Sequence, residues 1–375
     1  MVPARPGTLA GLLIRARWLL CLAAVSLTAA AAPVTPLAPN TIARTLAGLE
    51  TAVPPGVQIE EGQLRDYARA ASERWKIYER RIGTPMLKWA QTELTSAPGA
   101  TVFYPFSGPD FATVQRLYPD AARYVLVALQ RGESVPALET ATAAEVSAFL
   151  GRFAEAWKQF AQVGFFRTLD LDEEAKQAGL RAGVTAPLLA FAVRSGYTVL
   201  SVEPVRVNAS GTELEPHPGP RSERATWNSV RITLAAGSRK VILDYVRMNL
   251  ADASLGAHPE YRAWIERMTA NRTVLKAASH LLQSPRFAIV RDALLERAPS
   301  IVQDETGIDY GALARAFNVK LYGHFSKPHK LFNKDAQRAL AEAYQSQPDV
   351  KALTFRVSYQ RQSEANLQVA TRLRE

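Results

Sequence analysis

The first candidate site is a polar turn that follows an apolar run of strand length. The run Ala100–Phe106 leads into Ser107, Gly108 and Asp110, and Phe111–Leu117 then has helical spacing. Ligands of open α/β sheets bind beyond the carboxyl ends of strands, so this turn is well placed. Ser107 and Gly108 are candidate ligand-binding residues, and Asp110 is a candidate general base. The structural alternative is that Ser107 or Asp110 caps the following helix.

The second candidate site is an acidic turn after the apolar run Ser300–Gln303. Asp304 and Glu305 come directly after it, and Gly307 follows. Adjacent carboxylates can bind a cation or do acid–base chemistry when their environments separate their pKa values. Because neighbouring residues of an extended strand point in opposite directions, both reach one site only if the backbone turns. Asp304 and Glu305 are candidate catalytic residues, and Gln303, at the end of the same run, is a candidate ligand-binding residue. The structural alternative is an ordinary acidic turn.

The third candidate is a histidine one helical turn after a lysine. The spacing predicts a helix over Glu260–Leu282, in which Lys276 and His280 would share a face at i and i+4. His280 is therefore a candidate catalytic proton carrier, and Lys276 a candidate ligand-binding residue. The remaining histidines are expected to be exposed or structural: His217, His258, His324 and His329.

Several kinds of chemistry find no support in the sequence. The histidine spacing matches no metal motif, so no metal site is predicted, and no glycine-rich nucleotide motif identifies a cofactor. Ser107 does not lie in a G-x-S-x-G turn, which disfavours a serine hydrolase. The only cysteine, Cys21, lies near the N-terminus and leaves the rest of the chain without a thiol nucleophile or a disulfide.

The elements that must position these residues alternate between helices and strands. Apolar and aromatic residues at helical spacing predict helices over 64–78, 146–160, 260–282, 287–297 and 334–344. Strands are predicted over 100–106, 123–129, 197–207, 229–235, 241–248, 300–303, 319–325 and 353–359. The first two strands and the helix between them form a predicted βαβ unit, and Gly237 turns a predicted hairpin. This alternation predicts a layered α/β fold with a mixed sheet and flanking helices, of which a Rossmann-like fold is one option.

The N-terminal segment is typical of a secretory signal peptide. Arginines precede the short apolar run Trp18–Leu27, and small residues follow it, so residues 1–31 are predicted to be cleaved near Ala30–Ala32. The protein would then be periplasmic or secreted, with no transmembrane span in the mature chain. Residues 32–58, rich in Pro, Ala and Thr, are predicted to be a tether. Residues 59–375 would form a single domain with a helical cap at 59–95.

Charge favours some partners over others. The whole chain carries a net charge of +10, of which three charges belong to the predicted signal peptide. A basic surface suits an anionic envelope polymer, although ordinary solubility explains it as well. Lysines and arginines are scattered among acidic residues, so nucleic acid is not an expected partner.

Four segments together resemble a family of uncharacterised exported bacterial proteins. They are Tyr104–Phe111, Leu275–Leu282, Gln303–Ile308 and Leu321–His324, and the resemblance covers most of the chain from about residue 60. This chain departs from the family pattern at Glu305, Thr306 and Asp309, where Asp, Ser and Pro are expected, so those side chains are not strictly required. The resemblance implies export but no established activity.

Two functions fit these observations, and the sequence does not decide whether the protein is an enzyme. The first is an exported protein that binds a polar small molecule or an envelope component at the two strand-end loops. The second is a hydrolase or transferase that uses Asp110 with Asp304 or Glu305, because paired carboxylates about 5–10 Å apart suit glycoside hydrolysis. A Rossmann-like methyltransferase is a third, weaker option, since an exported protein lacks a supply of its cofactor.

Overall fold

The computed structural model describes residues 35–96, 98–164, 180, 183–217, 228–332, 337–357 and 359–373. Ten strands within these residues form one mixed sheet. The strands are β1 Thr101–Pro105, β2 Arg123–Ala128, β3 Thr198–Val207, β4 Leu214–Pro216, β5 Ser229–Ala236, β6 Arg239–Arg247, β7 Arg272–Leu275, β8 Ser300–Gln303, β9 Phe317–Gly323 and β10 Asn366–Arg372. Their spatial order is β4-β3-β5-β6-β2-β1-β7-β8-β10-β9. The predicted α/β fold with a mixed sheet is confirmed.

Five adjacent strands in the middle of the sheet, β6-β2-β1-β7-β8, run parallel. The predicted βαβ unit is present, with Thr101 of β1 opposite Arg123 of β2. Both faces of these strands are covered, and for that reason the residues from Tyr124 to Val127 are all apolar and buried. The predicted β5–β6 hairpin turns at Gly237, whose φ of 59° suits a glycine.

Helices flank the sheet on both faces. They are α1 Pro39–Leu46, α2 Glu61–Tyr78, α3 Thr84–Glu93, α4 Phe111–Leu117, α5 Ala143–Val163, α6 Thr185–Arg194, α7 Asp252–Ala257, α8 Pro259–Met268, α9 Ala288–Arg297, α10 Tyr310–Ala316 and α11 Arg338–Ser346. Alternation along β1 separates two cores: Val102 and Tyr104 pack with α1–α6, and Phe103 packs with α7–α10. The helices predicted for the cap at 59–95 are therefore part of a complete layer.

The chain leaves β1 and β7 in opposite directions. After β1 it crosses to β2 on one side, and after β7 it crosses to β8 on the other side. Because the two crossovers diverge, they leave a crevice between the carboxyl ends of β1 and β7. Such a position is called a topological switch point, and open α/β sheets bind ligands there. The turns after β1 and β7 meet at this crevice.

The predicted tether at 32–58 is wrong for much of its length. Helix α1 lies within it, and Ile42, Ala43 and Leu46 are buried in the core. The carbonyl of Leu46 accepts hydrogen bonds from Trp157 and Tyr67. The abundance of Pro and Ala concealed this helix, because a proline at the first helical position begins a helix rather than breaking it.

The predicted helix over Glu260–Leu282 is also wrong. Helix α8 ends at Met268, the strand β7 follows, and a 3-10 helix spans Ala277–Gln283. The apolar spacing suited either structure, but Thr273 and Val274 are β-branched and favour a strand. The break separates Lys276 from His280, as the site shows.

The predicted strand over 353–359 has no strand partner in the part of it that the structure describes. Leu353, Phe355 and Val357 are buried against the helices of the first core, and Trp89 packs against Phe355. Burial on one side, rather than pairing, produces the alternation. The strand that lies between β8 and the edge strand β9 is β10, which the sequence did not predict.

The predicted signal peptide lies outside the described residues. Among the helices that are described, none has both the length and the apolar character needed to cross a membrane. Residues 36–375 form one compact unit.

Candidate functional site

A cavity of about 190 Å³ opens at the carboxyl ends of β1 and β7, at the switch point of the sheet. Its polar lining comes from the predicted first loop and from the end of β7, including Ser107, Asp110 and Lys276. Its apolar walls are formed by Phe106, Leu129, Met248, Leu250, Leu281 and Phe287. The predicted location of a site after β1 therefore holds a cavity.

A buried ion pair forms the polar end of this cavity. The Nζ atom of Lys276 lies 2.6 Å from Oδ2 of Asp110, and the two side chains are 6 % and 4 % exposed. Lys276 also donates to the hydroxyl of Thr113 at 3.0 Å, and Tyr104 donates to Oδ2 of Asp110 at 3.0 Å. Burial of an ion pair requires such additional hydrogen bonds, because both charges lose their contact with water.

The second oxygen of Asp110 has no hydrogen-bond partner among the described residues. This atom, Oδ1, is buried in a residue that lines the cavity. A buried carboxylate oxygen without a donor is costly, by about 1–3 kcal/mol. A ligand that supplies a donor would remove that cost.

Neither Ser107 nor Asp110 caps helix α4 with its side chain, which was the structural alternative for the first loop. Asp110 stands at the N-cap position of α4, yet its side chain makes no capping hydrogen bond. The hydroxyl of Ser107 donates to the carbonyl of Gly108 at 3.1 Å, within the turn. The Asp110 carboxylate is directed to Lys276 instead, so the residue serves the cavity rather than the helix.

Tyr104 remains a hydrogen-bond donor at this site. Burial, followed by the charge of Asp110 and its hydrogen bond, raises the pKa of Tyr104 well above its usual value. The charge of Asp304 acts in the same direction. The Tyr104 hydroxyl therefore keeps its proton and holds Asp110 in place.

Strained backbone lies on both sides of the cavity. Phe106 has a φ of 61° and Ala277 a φ of 57°, both in the left-handed region that residues with a Cβ avoid. Gly108, between Phe106 and Asp110, has a φ of 55°, which only a glycine adopts without cost. Such strain persists only where the surroundings fix it, and it concentrates at ligand sites.

The second loop is organised around the carboxylate of Asp304. Its Oδ1 accepts hydrogen bonds from the backbone N–H of Thr306 at 2.9 Å and from the Thr306 hydroxyl at 2.5 Å. Its Oδ2 accepts from the N–H of Ala277 at 3.4 Å, next to Lys276. Asp304 therefore joins the turn after β8 to the turn after β7.

Gln303 braces the same loop rather than facing a ligand. It is fully buried, its Oε1 accepts from the N–H of Ile308 at 3.0 Å, and its Nε2 donates to the carbonyl of Ile308 at 2.8 Å. Gly307 leaves room for this side chain, because a Cβ there would lie 2.3 Å from Gln303 Oε1. Gln303 is not among the described residues that line the cavity, so the structure lends no support to the ligand-binding role predicted for it.

Glu305 does not line the cavity. Its Oε2 accepts from Asn366 at 2.8 Å, and neither Glu305 nor Asp304 is among the described residues that line the cavity with Asp110. Burial, and then the charge of Asp304, raises the pKa of Glu305 to about 8. The structure thus does not place the predicted pair of carboxylates on a shared open cleft.

His280 and Lys276 do not share a helical face, contrary to prediction. The side chain of Lys276 extends to Asp110, while the His280 ring lies 4.7 Å from the ring of Phe332. His280 is not among the described residues that line the cavity. Its predicted role as a proton carrier beside Lys276 therefore has no geometric support.

Sequence reasoning missed the groups that complete the site. Tyr104 and Thr113 hold the ion pair, and Phe287 and Leu281 supply apolar walls. The only available signal was the β-branched pair Thr273 and Val274 before Lys276, which favours a strand but does not by itself exclude a helix.

Comparisons with family models, with curated proteins and with solved structures find no match. Within the described ranges, no group of three or more His, Cys, Asp or Glu side chains could hold a metal ion. The functional argument therefore rests on the cavity and its contacts.

Proposed function

We propose that this chain is an exported protein that binds a small molecule in the cavity between the ends of β1 and β7. The observation that carries the proposal is the buried Asp110–Lys276 pair at one end of a cavity with several apolar walls, with Oδ1 of Asp110 left without a donor among the described residues. Ligand sites of this kind are mostly apolar, with a few polar groups that orient the ligand.

The contacts favour a ligand with an apolar body and a polar head that donates a hydrogen bond. The Phe106, Leu281 and Phe287 side chains line the space for the body. The head must donate to Oδ1 of Asp110, which an amine or a hydroxyl does and a carboxylate does not. Asp110 attracts an amine and the Lys276 ammonium repels it, so the hydrogen bond to Oδ1, rather than net charge, selects the head.

The geometry favours binding over hydrolysis by paired carboxylates. Only Asp110 of the predicted acidic set lines the cavity, and the Lys276 ammonium already occupies its Oδ2. A hydrolase or transferase would need a second carboxylate facing the same substrate.

Export is proposed from the N-terminal sequence alone. The arginines, the apolar run Trp18–Leu27 and the small residues after it support a cleaved signal peptide. Expression of the full chain in a bacterium, followed by N-terminal sequencing, tests this proposal. A new terminus near Ala30–Ala32 supports export, and an intact Met1 on a cytoplasmic protein contradicts it.

Three probes with one apolar body test the binding proposal: phenethylamine, 2-phenylethanol and 3-phenylpropanoate. Protein-detected NMR titrations of the wild-type chain should give saturable shifts, with the amine bound at least about tenfold more tightly than the carboxylate, as expected for one well-placed hydrogen bond to a charged group. Equal affinity of all three probes would contradict the role of Asp110.

A variant that fills the cavity separates this site from others. Ala278 is exposed at the edge of the cavity, so Ala278→Phe should block the space without disturbing the core. Ala209→Phe, at an exposed turn, is the matched control. Loss of amine binding in the first variant alone supports the proposal, and unchanged binding in both would place the ligand elsewhere.

A further inference from the structure

A second feature of the molecule is a basic groove far from any candidate considered above. The basic groove is lined by Arg80, Thr84, Lys88, Trp89, Lys351 and Thr354 and has a volume of about 580 Å³. It lies between α3 and the segment that follows α11. All of these lining residues except Trp89 are exposed.

One carboxylate forms ion pairs with two lysines at the edge of the basic groove. Glu93 binds Lys320 through Oε2 at 2.8 Å and binds Lys351 through Oε1. The Tyr322 hydroxyl also donates to Oε2 at 2.6 Å. Hydrogen bonds from both lysines and from Tyr322 lower the pKa of Glu93 to about 2, so this arrangement persists at all physiological pH values.

Positive charge remains in excess after this pairing. Within the part of the chain that the structure describes, neither Arg80 nor Lys88 has a carboxylate within ion-pair distance. Glu79 pairs with Arg116 through Oε1 and accepts a hydrogen bond from the groove residue Thr84 through Oε2 at 3.0 Å, so its single charge is shared with Arg116 and leaves Arg80 and Lys88 in excess. Like charges placed together on a surface repel one another unless an anion is bound between them.

We propose that the basic groove binds a linear polyanion that carries phosphate groups and is not a nucleic acid. The arginine offers a planar pair of donors that matches phosphate oxygens, and the lysines add point charges. An open groove admits a chain that extends beyond both ends, which a closed cavity would not. The chain's net charge of +10, of which three charges belong to the predicted signal peptide, stays positive after cleavage and is complementary to such a partner. This site is independent of the small-molecule cavity.

Binding of inorganic polyphosphate to the full chain tests the proposal. The probe is labelled at one end and followed by fluorescence anisotropy at several salt concentrations. The double variant Arg80→Gln/Lys88→Gln should bind at least about tenfold more weakly, and its affinity should depend less steeply on salt because fewer counterions are released.

The control removes the same charge elsewhere. Arg65→Gln/Arg69→Gln changes two exposed arginines that pair with Glu61 and Asp66, ~20 Å from the groove along α2. This variant should bind polyphosphate within about twofold of wild type. An equal loss in both variants would show that net charge alone attracts the probe and would overturn the proposal.

Two further probes define the partner. Poly-glutamate, which carries carboxylates, should bind more weakly than polyphosphate, and equal affinity would contradict the phosphate preference. A single-stranded DNA oligonucleotide that binds more tightly than polyphosphate would assign the groove to nucleic acid instead and would also overturn the proposal.

Discussion

At the scale of single residues, the protein holds an ion pair where a purely structural core would hold apolar side chains. Asp110 and Lys276 come from turns that are far apart in the chain, and each is nearly fully buried. A buried pair adds little stability relative to well-packed apolar residues. Its presence beneath a cavity is therefore better explained by ligand binding than by folding.

Removal of one member of this pair should be far more damaging than removal of both. Lys276→Met leaves the Asp110 charge buried without a partner and should lower the free energy of unfolding by about 3–5 kcal/mol. The double variant Asp110→Leu/Lys276→Met should recover most of that loss. Urea unfolding of the two variants measures both values.

The double variant also separates stability from function. It should be folded yet should not bind phenethylamine, because the acceptor Oδ1 is gone. Additive losses of stability, with the double variant less stable than either single one, would contradict the coupling of the two buried charges.

Glu305 should make stability depend on pH. Its pKa of about 8 in the folded protein exceeds the ordinary value of 4.5, so the folded state holds a proton that the unfolded state releases. This contribution to stability is complete below about pH 4.5 and disappears as pH rises through 8. The free energy of unfolding should fall by up to about 1.4 kcal/mol per pH unit between these values.

The substitution Glu305→Gln tests this pH dependence. The amide keeps a partner for Asn366 but cannot ionise, so the slope between pH 5 and pH 8 should flatten in urea unfolding. Wild-type and variant proteins with the same slope would contradict the raised pKa.

At the scale of elements, α1 belongs to the folded domain. Its buried face includes Leu46, whose carbonyl receives a hydrogen bond from Trp157, and Arg194 donates to the next carbonyl at 2.7 Å. Leu46→Ala should therefore cost about 2–5 kcal/mol of unfolding free energy. A chain that begins at residue 36 should unfold like the mature protein, and a chain that begins at residue 59 should be markedly less stable. Equal stability of the chains that begin at residues 36 and 59 would support the predicted tether instead.

The turn after β7 should respond to relief of its strain. Ala277 has a φ of 57°, so Ala277→Gly should stabilise the protein by up to about 1 kcal/mol, while the β-branched Ala277→Val should destabilise it. Thermal unfolding measures both variants. A destabilising glycine would show that the Ala277 side chain has a packing role greater than the strain.

The comparison of sequence and structure also belongs to this scale. The parallel unit of β1, α4 and β2 and the β5–β6 hairpin were predictable, because short-range apolar runs and turn residues define them. The strand β7 and the turn that carries Lys276 were not predictable, since the apolar residues before Lys276 fit a helix as well as a strand. Only pairing with β1 and β8, which lie far away in sequence, selects the strand.

The candidate residues also differ in whether the local sequence or distant contacts determine their roles. Asp110 was predictable as a candidate because it lies in the turn after a clear strand, and it lines the cavity. The roles of Gln303 and Glu305 were not, since their contacts with Ile308 and Asn366 depend on how the chain folds after β8. A polar residue at a strand end looks the same in sequence whether it faces a ligand or braces a loop.

At the scale of the whole molecule, two surfaces are available for two kinds of partner. The cavity lies at the switch point of the sheet, and the basic groove lies beside α3. Their linings share no residue, so substitutions in one should leave the other's binding unchanged. Loss of phenethylamine binding in Arg80→Gln/Lys88→Gln would contradict this independence.

The most direct test of the central claim is a crystal structure of the wild-type protein grown with phenethylamine. The account predicts the amine nitrogen within hydrogen-bond distance of Asp110 Oδ1 and the phenyl ring against Leu281 and Phe287. A cavity that stays empty at a saturating concentration, or an amine bound away from Asp110, would contradict it.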